Sequence, residues 1–430
     1  MRKIARLLSF LSAILSGLTL LRPSKDWPMW LMLPKPFAAA MTPLLAVAGG
    51  LGALLGLLHR DRRAVRAGLF GAVVSLTHVK RVTAPHDGFA AAFGPDWHAQ
   101  IPAGLQARML PKRFIPLPPD PPSARWQQDV VVGTHVESGD PLLADLWQPP
   151  EDVPPTGLAA IYLHGSGWHY ADKDFGTRRF FHHLASQGHV IVDLAYTLAP
   201  QARLKAMVAD VKRAIAWAKE NGSEYGVSPE RIVLMGGSAG AHLALLAGYT
   251  PNHPELQPAD VETDTSVHGV ISFYGFPDIA AAQDHFQEYH GDWMTGKTAQ
   301  ERRLIERITA YFHRVGFLPP DSPFVSAADM LPGLIGGGPE EAPELYALGS
   351  PIRHVGPHCP PTLQLQGAHD VGGMMDDVRR LHQALRAAGV PSVWVEFPNT
   401  DHGFDLFLSK WSPAAQAATH DVERFLALMI

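Results

Sequence analysis

Apolar and polar residues follow three regimes along this chain. Residues 7–21, 37–58 and 67–79 are nearly unbroken apolar runs set between basic or mixed segments. The run at 37–58 has no charged side chain over about 20 residues, the length a bilayer core requires of a helix. The run at 7–21 follows Arg2, Lys3 and Arg6. The run at 67–79 is short for a span unless Arg66 and Lys80 extend their charged heads to the interface. Trp27 and Trp30 have the placement of interfacial aromatics. No small-residue cleavage site follows the first run, so the pattern predicts membrane-anchoring helices over residues 1–82 rather than a removed leader. With two spans, Arg2, Lys3 and Arg6 share a side with Arg60, Arg62, Arg63 and Arg66, and the rest of the chain faces the cytoplasm. A third span carries it across, so the membrane is expected and the side is left open.

Between residues 83 and 125 the pattern lapses. Pro116, Pro118, Pro119, Pro121 and Pro122 predict an extended, semi-rigid linker, with Asp96-Trp97-His98 and Met109-Leu110 offering a packing alternative. From 126 to 430, strand-length apolar runs alternate with helix-period segments. Residues 130–136 and 142–147 read as strands joined through Glu137-Ser138-Gly139-Asp140. Runs at 158–163, 189–194, 232–235, 267–273, 362–366 and 392–397 read as further strands. Segments 177–187, 206–221, 241–247 and 375–388 read as helices, the second through Val208, Val211, Ile215 and Trp217. The fold class is therefore α/β, a mostly parallel sheet with helices on both faces, preceded by N-terminal transmembrane helices. Reacting groups in such sheets collect on loops at the carboxyl ends of the strands.

Composition narrows the chemistry. A formal net charge of -5 over 430 residues argues against a nucleic-acid partner, which calls for a basic face. The single cysteine, Cys359, excludes an internal disulfide framework. No Cys/His spacing fits zinc and no glycine-rich loop ends in the lysine of a phosphate site.

The strongest local signal is Gly236-Gly237-Ser238-Ala239-Gly240, placed between the apolar run ending at Met235 and the helix-like segment from Ala241. A serine held on a sharp strand-to-helix turn presents its hydroxyl, but a hydroxyl is a weak nucleophile without a base. Two later loops supply partners. Gly367-Ala368-His369-Asp370 ends one strand on an acid, and Asp401-His402-Gly403-Phe404 follows the last strand. The order Ser238, Asp370, His402 makes Ser238 the candidate nucleophile, His402 the base and Asp370 the group that orients it. Asp376 and Asp377 compete for the acid, and His369 for the base. His164-Gly165-Ser166-Gly167-Trp168 follows an earlier strand and suits an oxyanion site, with Ser166, Gly167 and Ala239 as amide donors and Gly165 serving the turn. His164 reads as a structural residue rather than a proton carrier.

With Tyr196-Thr197-Leu198-Ala199-Pro200 added, these motifs make residues 125–430 resemble an α/β-hydrolase of the bacterial hormone-sensitive-lipase-like and carboxylesterase group. That resemblance implies a serine ester hydrolase needing no cofactor. Ser166 stands where the group's oxyanion loop usually has glycine, Gly237 stands where its pentapeptide commonly has Asp, and the acid loop lacks its usual Asp-Pro-Leu. Trp168 and Asp172-Lys173 resemble the feruloyl and acetyl-xylan esterase-like branch, which leaves the subfamily open.

The stretch 278–350 interrupts the alternation between nucleophile and acid. Its Phe286, Tyr289, Trp293, Tyr311, Phe312 and Phe317, beside Gly336-Gly337-Gly338, suit a cap lining an acyl pocket. The expectation is a membrane-anchored ester hydrolase acting on a small-molecule ester, a lipophilic one being suited to the tethering, with membrane lipid as its other partner. An amide, formamide or methyl-ester hydrolase on the same parts is the alternative. A non-catalytic hydrolase-fold protein is the third class, set against the presence of all three triad residues.

Overall fold

The computed structural model describes residues 1–22, 34–135, 138–290, 299–314, 325–372 and 375–430. The N-terminal region forms α1 (Arg2–Leu18), a short α2 (Pro34–Ala40), α3 (Thr42–Leu58) and α4 (Arg62–Val82). Helices α1, α3 and α4 pack together with their small residues inward: Ala5, Ser9, Ser12 and Ser16, then Gly49, Gly52 and Gly56, then Ala64, Gly68, Gly71 and Ser75. Close approach requires this. A Cβ on Gly52 would lie 2.5 Å from Ser9 Oγ and 2.8 Å from Ser9 N. Three of the inward hydroxyls are satisfied within the bundle, Ser12 Oγ donating to Leu45 O at 2.7 Å and Ser16 Oγ meeting Ser75 Oγ at 2.7 Å, while Ser9 Oγ is buried without a partner among the described residues. Leu7, Leu11, Ile14, Val47, Leu51, Leu54, Val73 and Leu76 point outward and are exposed.

The uninterrupted span expected at 37–58 is broken. Helices α2 and α3 meet at 74° around Met41, where Pro43 begins a new helix instead of continuing the old one. Among the described residues no single helix is long and apolar enough to cross a membrane, although this bent pair passes that test together. Trp27 and Trp30 lie outside the described residues.

The proline-rich segment is not a free tether over its first half. It forms α5 (Gly88–Phe93), a 3-10 turn at Trp97–Gln100 and α6 (Ala103–Gln106). Phe89, Trp97, Ile101, Leu105 and Met109 are buried against one face of the sheet. Farther on, the Leu110 and Ile115 amides donate to Glu423 Oε1 and Gln416 Oε1, each at 2.8 Å. Burying apolar side chains at roughly 25 cal/mol per Å² outweighs the prolines' tendency to keep this stretch extended.

The sheet has the strand order β1-β2-β4-β3-β5-β6-β7-β8. Its strands are β1 (Arg125–Thr134), β2 (Pro141–Gln148), β3 (Gly157–Leu163), β4 (Val190–Ala195), β5 (Val227–Gly237), β6 (Gly269–Phe273), β7 (Thr362–Gly367) and β8 (Ser392–Phe397). The β1–β2 and β2–β4 pairs are antiparallel and the rest are parallel, as the alternation of strands and helices predicts. Strand β3 shows why its sequence is apolar throughout. Ala159, Ile161 and Leu163 enter one core layer while Leu158, Ala160 and Tyr162 enter the other. Helices α8 (Leu204–Asn221), α9 (Ala239–Tyr249) and α14 (Met375–Ala387) cover the first layer. Helices α7 (Arg178–Ala185) and α15 (Pro413–Leu428) cover the second.

The insertion contains α10 (Ile279–His290), α11 (Ala299–Arg314), α12 (Ala327–Ile335) and α13 (Pro343–Leu348). Ile279, Ala282, Phe286, Leu331, Leu334 and Ile335 join the first core layer, so part of the insertion belongs to the main body. Tyr311 is exposed. Trp293 and Phe317 lie outside the described residues, as do the side chains of Tyr289 and Phe312.

Candidate active site

Strand β5 ends at Gly237 and α9 begins at Ala239, leaving Ser238 alone on the turn with φ 55° and ψ -118°. That backbone geometry is costly for a residue with a Cβ and persists only where its surroundings enforce it. The enforcement is visible. A Cβ on Gly236 would lie 2.5 Å from the Gly240 carbonyl carbon, and one on Gly240 would collide with the Leu163 and His164 carbonyls. The Ser238 amide is fixed by donation to Phe273 O at 2.9 Å.

The three residues separated widely in sequence meet here. His402 Nε2 lies 2.8 Å from Ser238 Oγ. His402 Nδ1 lies 3.0 and 2.9 Å from the two Asp370 carboxylate oxygens. Asp370 is fully buried and is held from behind by Gln366 Nε2 and the Gly372 amide, each donating at 2.8 Å. Asp376 and Asp377 lie instead on α14, where each pairs with an arginine. His369 points away from Ser238 and contacts Lys35.

Charge around His402 favours its protonated form. Burial works against that form, but the Asp370 carboxylate, through charge and hydrogen bonding, outweighs it with help from Asp405 and Asp401, and the imidazole sits above its ordinary value. Burial pushes Asp401 and Asp405 each up to about 6. The Tyr274 ring packs 4.4 Å from the His402 ring, and its hydroxyl donates to Asp405 Oδ1.

The loop after β3 lies directly against the nucleophile. A Cβ on Gly165 would stand 3.0 Å from Gly237 O and 3.4 Å from Ser238 Cβ. Ser166, Gly167 and Trp168 all have positive φ, at 83°, 66° and 65°. Among the described residues no backbone carbonyl takes up the Ser166, Gly167 or Ala239 amide. The buried Trp168 anchors the loop, its Nε1 donating to His242 Nδ1 at 3.2 Å while His242 Nε2 bonds Gly349 O at 2.7 Å. His164 is buried and stacked on Tyr196 at 4.5 Å, and burial lowers its pKa to about 4. It is a neutral structural group. From the insertion, Met330 Sδ stands 2.6 Å from where a Gly167 Cβ would be, and His169 Nε2 bonds Met330 O at 3.0 Å. The described residues hold no group of three His, Cys, Asp or Glu side chains arranged for a metal.

Comparison with known proteins agrees with this architecture. The chain is similar over 72% of its length to an esterase from Thermogutta terrifontis, covering 93% of that chain with a TM-score of 0.51 at 22% identity. The fold is that of an α/β-hydrolase. The α/β-hydrolase part also matches the BD-FAE family model over residues 144–325. In sequence the chain is 29% identical to Esterase LipQ of Mycobacterium tuberculosis over 78% of its own length and 72% of LipQ. It is 32% identical to the probable carboxylic ester hydrolase LipM of the same organism over 66% of its own length, and spans 57% of LipM.

Sequence reasoning missed Tyr274, Asp405 and Lys35, and it singled out Trp168 without its bond to His242. For Tyr274 a signal existed, since Tyr274-Gly275-Phe276 directly follows β6 at the carboxyl edge where site residues collect. Nothing in the sequence tied Lys35 to this site.

Proposed function

We propose that this α/β-hydrolase cleaves carboxylic esters through an acyl intermediate on Ser238. The chain is a carboxylic-ester hydrolase, as its similarity to the named esterases argues. The observation that carries the mechanism is the unbroken line of contacts from Ser238 Oγ through His402 to Asp370 on a strained strand-to-helix turn. In attack, Ser238 Oγ bonds the ester carbonyl carbon while its proton passes to His402 Nε2. Asp370 keeps the other ring proton on Nδ1 and balances the imidazolium. The amides of Ser166, Gly167 and Ala239 receive the oxyanion. His402 then gives its proton to the departing alcohol, and water repeats the sequence in reverse to free the acid.

Residues 278–350 serve as a cap on this reading, with Met330 placed over the oxyanion loop and Phe286 5.5 Å from Phe276 near His402. A panel of p-nitrophenyl esters of increasing acyl length, run beside aryl formamides and methyl esters, tests the assignment. Ester turnover that disappears in Ser238→Ala supports it. Turnover of formamides alone would move the chain to amide hydrolysis.

The N-terminal bundle is inside-out by the standard of a water-soluble protein, with serine and glycine within and leucine and valine outside. Small inward residues with apolar outward faces suit packing in lipid. The three antiparallel legs put Arg2, Lys3, Arg6 and Arg60 to Arg63 at one end and the hydrolase at the other. We read residues 1–82 as a membrane anchor for the catalytic domain, the basic end on the cytoplasmic side. Resistance of the full chain to alkaline carbonate extraction from membranes is the expected result, and release into the supernatant would remove the anchor from the account.

A further inference from the structure

The bundle reaches the catalytic loops themselves. Lys35, on α2, is 4% exposed and directs its ammonium between two loops. Nζ is 2.8 Å from His369 Nδ1, the residue before Asp370, and 2.8 Å from Asp401 Oδ1, the residue before His402. Burial, with Lys35 and Arg22 nearby, lowers the His369 pKa to about 4, so the ring is neutral and accepts from the ammonium. Asp401 Oδ2 is buried with no hydrogen-bond partner among the described residues, which makes Lys35 the main compensation for that carboxylate. Other contacts bracket the His402 loop from the same side. Arg81 Nη1 donates to Asn399 Oδ1 at 3.4 Å, Asn399 Nδ2 donates to Thr19 O at 3.3 Å, and the Phe37 and Phe407 rings meet edge-on at 4.6 Å.

We propose that Lys35 is a positioning residue that ties the acid loop to the histidine loop and so makes the N-terminal bundle part of the catalytic assembly. This rests on the reading of His402 as the base. Two consequences separate it from a purely structural pin. The first is geometric. Lys35 adds a side-chain cross-link between the loops carrying Asp370 and His402, beside the His369 N–H bond to Thr400 O at 2.9 Å, and displacing either loop opens the contact to Ser238, where about 1 Å costs about 100-fold in rate. The second is electrostatic. Lys35 stands against Asp401, with Arg22, His78 and Arg81 of the bundle around Lys35 and His369, while Asp370, Asp401, Asp405 and Tyr274 of the hydrolase surround His402. Without Lys35 the buried Asp401 carboxyl takes up a proton more readily. His402 then loses one of the negative charges that hold its own proton.

The test uses full-length Lys35→Met and Asp401→Asn in the pH dependence of kcat/KM on p-nitrophenyl acetate. Lys35→Met is expected to lower kcat by about 10- to 100-fold with little change in KM. In both variants the acid limb is expected to move to lower pH. Asp401→Asn decides the question alone if Lys35→Met does not accumulate as folded protein. An acid limb at the wild-type position in every folded variant overturns the proposal. Wild-type protein that fails to label at Ser238 with a fluorophosphonate points instead to failure of the nucleophile assignment.

Discussion

Ser238 Oγ and His402 Nε2 stand 2.8 Å apart although 164 residues separate them. The contact brings together the ends of β5 and β8, with β7 and its Asp370 between them in chain order. A serine hydroxyl at this distance from an imidazole can lose its proton as its oxygen attacks. Everything else at the site orients these two atoms or stabilises the charge their reaction creates.

Asp370→Asn tests the orienting role. The amide keeps the shape of the carboxylate but favours the wrong imidazole tautomer. It is expected to lower kcat by about 10,000-fold with KM little changed, in steady-state ester hydrolysis.

The pH profile follows from His402. Only its neutral form accepts the Ser238 proton, and its pKa lies above the ordinary 6.5, so kcat/KM is expected to fall as pH drops through a limb above that value. Asp405→Asn removes one of the charges that raise it and should move the limb downward. Stability carries a separate sign. Asp405 titrates at about 6 when folded against an ordinary 3.8, so the folded state holds the extra proton between these values. Its contribution to stability falls as pH rises through that window, and the full cost of the buried charge remains above it. Thermal unfolding should therefore favour Asp405→Asn over wild type increasingly from pH 4 to pH 7.

Gly240→Ala tests the turn. Its methyl group would run into the Leu163 and His164 carbonyls, backbone that cannot rotate away. A loss of at least about 3 kcal/mol is expected in denaturant unfolding, with soluble yield reduced accordingly. Wild-type stability would show that the β3–α9 approach is looser than described.

The outward face of the bundle is tested by Leu51→Asp, at a side chain 50% exposed near the middle of α3. A carboxylate at the centre of a bilayer costs about 3 kcal/mol, roughly 100-fold in partitioning. Flotation with phosphatidylcholine vesicles should fall by that order while hydrolysis of p-nitrophenyl acetate persists. Unchanged flotation would place this face outside the lipid.

Much of the hydrolase part was legible because its signals are local. Strand β8 occupies the residues its apolar run predicts, and the pentapeptide around Ser238 carries its own steric requirements in two glycines. Asp370 and His402 could be chosen over Asp376, Asp377 and His369 because each ends or follows a strand in the expected order. What escaped depends on contacts remote in sequence. The Lys35–Asp401 pair spans 366 residues, and neither residue has a pattern that announces the other. The segment around Trp97 read first as a linker because proline content records backbone preference, and it was the alternative carried by Trp97 and Met109, packing on the catalytic part, that its apolar side chains realised. The break at Met41 was hidden for the opposite reason, since a sum of hydropathy does not register where Pro43 restarts the helix.

Whether Ser238 is the nucleophile is read out by intact-mass analysis after treatment with a fluorophosphonate. One adduct per chain, mapping to the peptide that contains Ser238 and absent from Ser238→Ala together with ester turnover, is the predicted result. An adduct on another residue, or ester turnover that persists in Ser238→Ala, would contradict it.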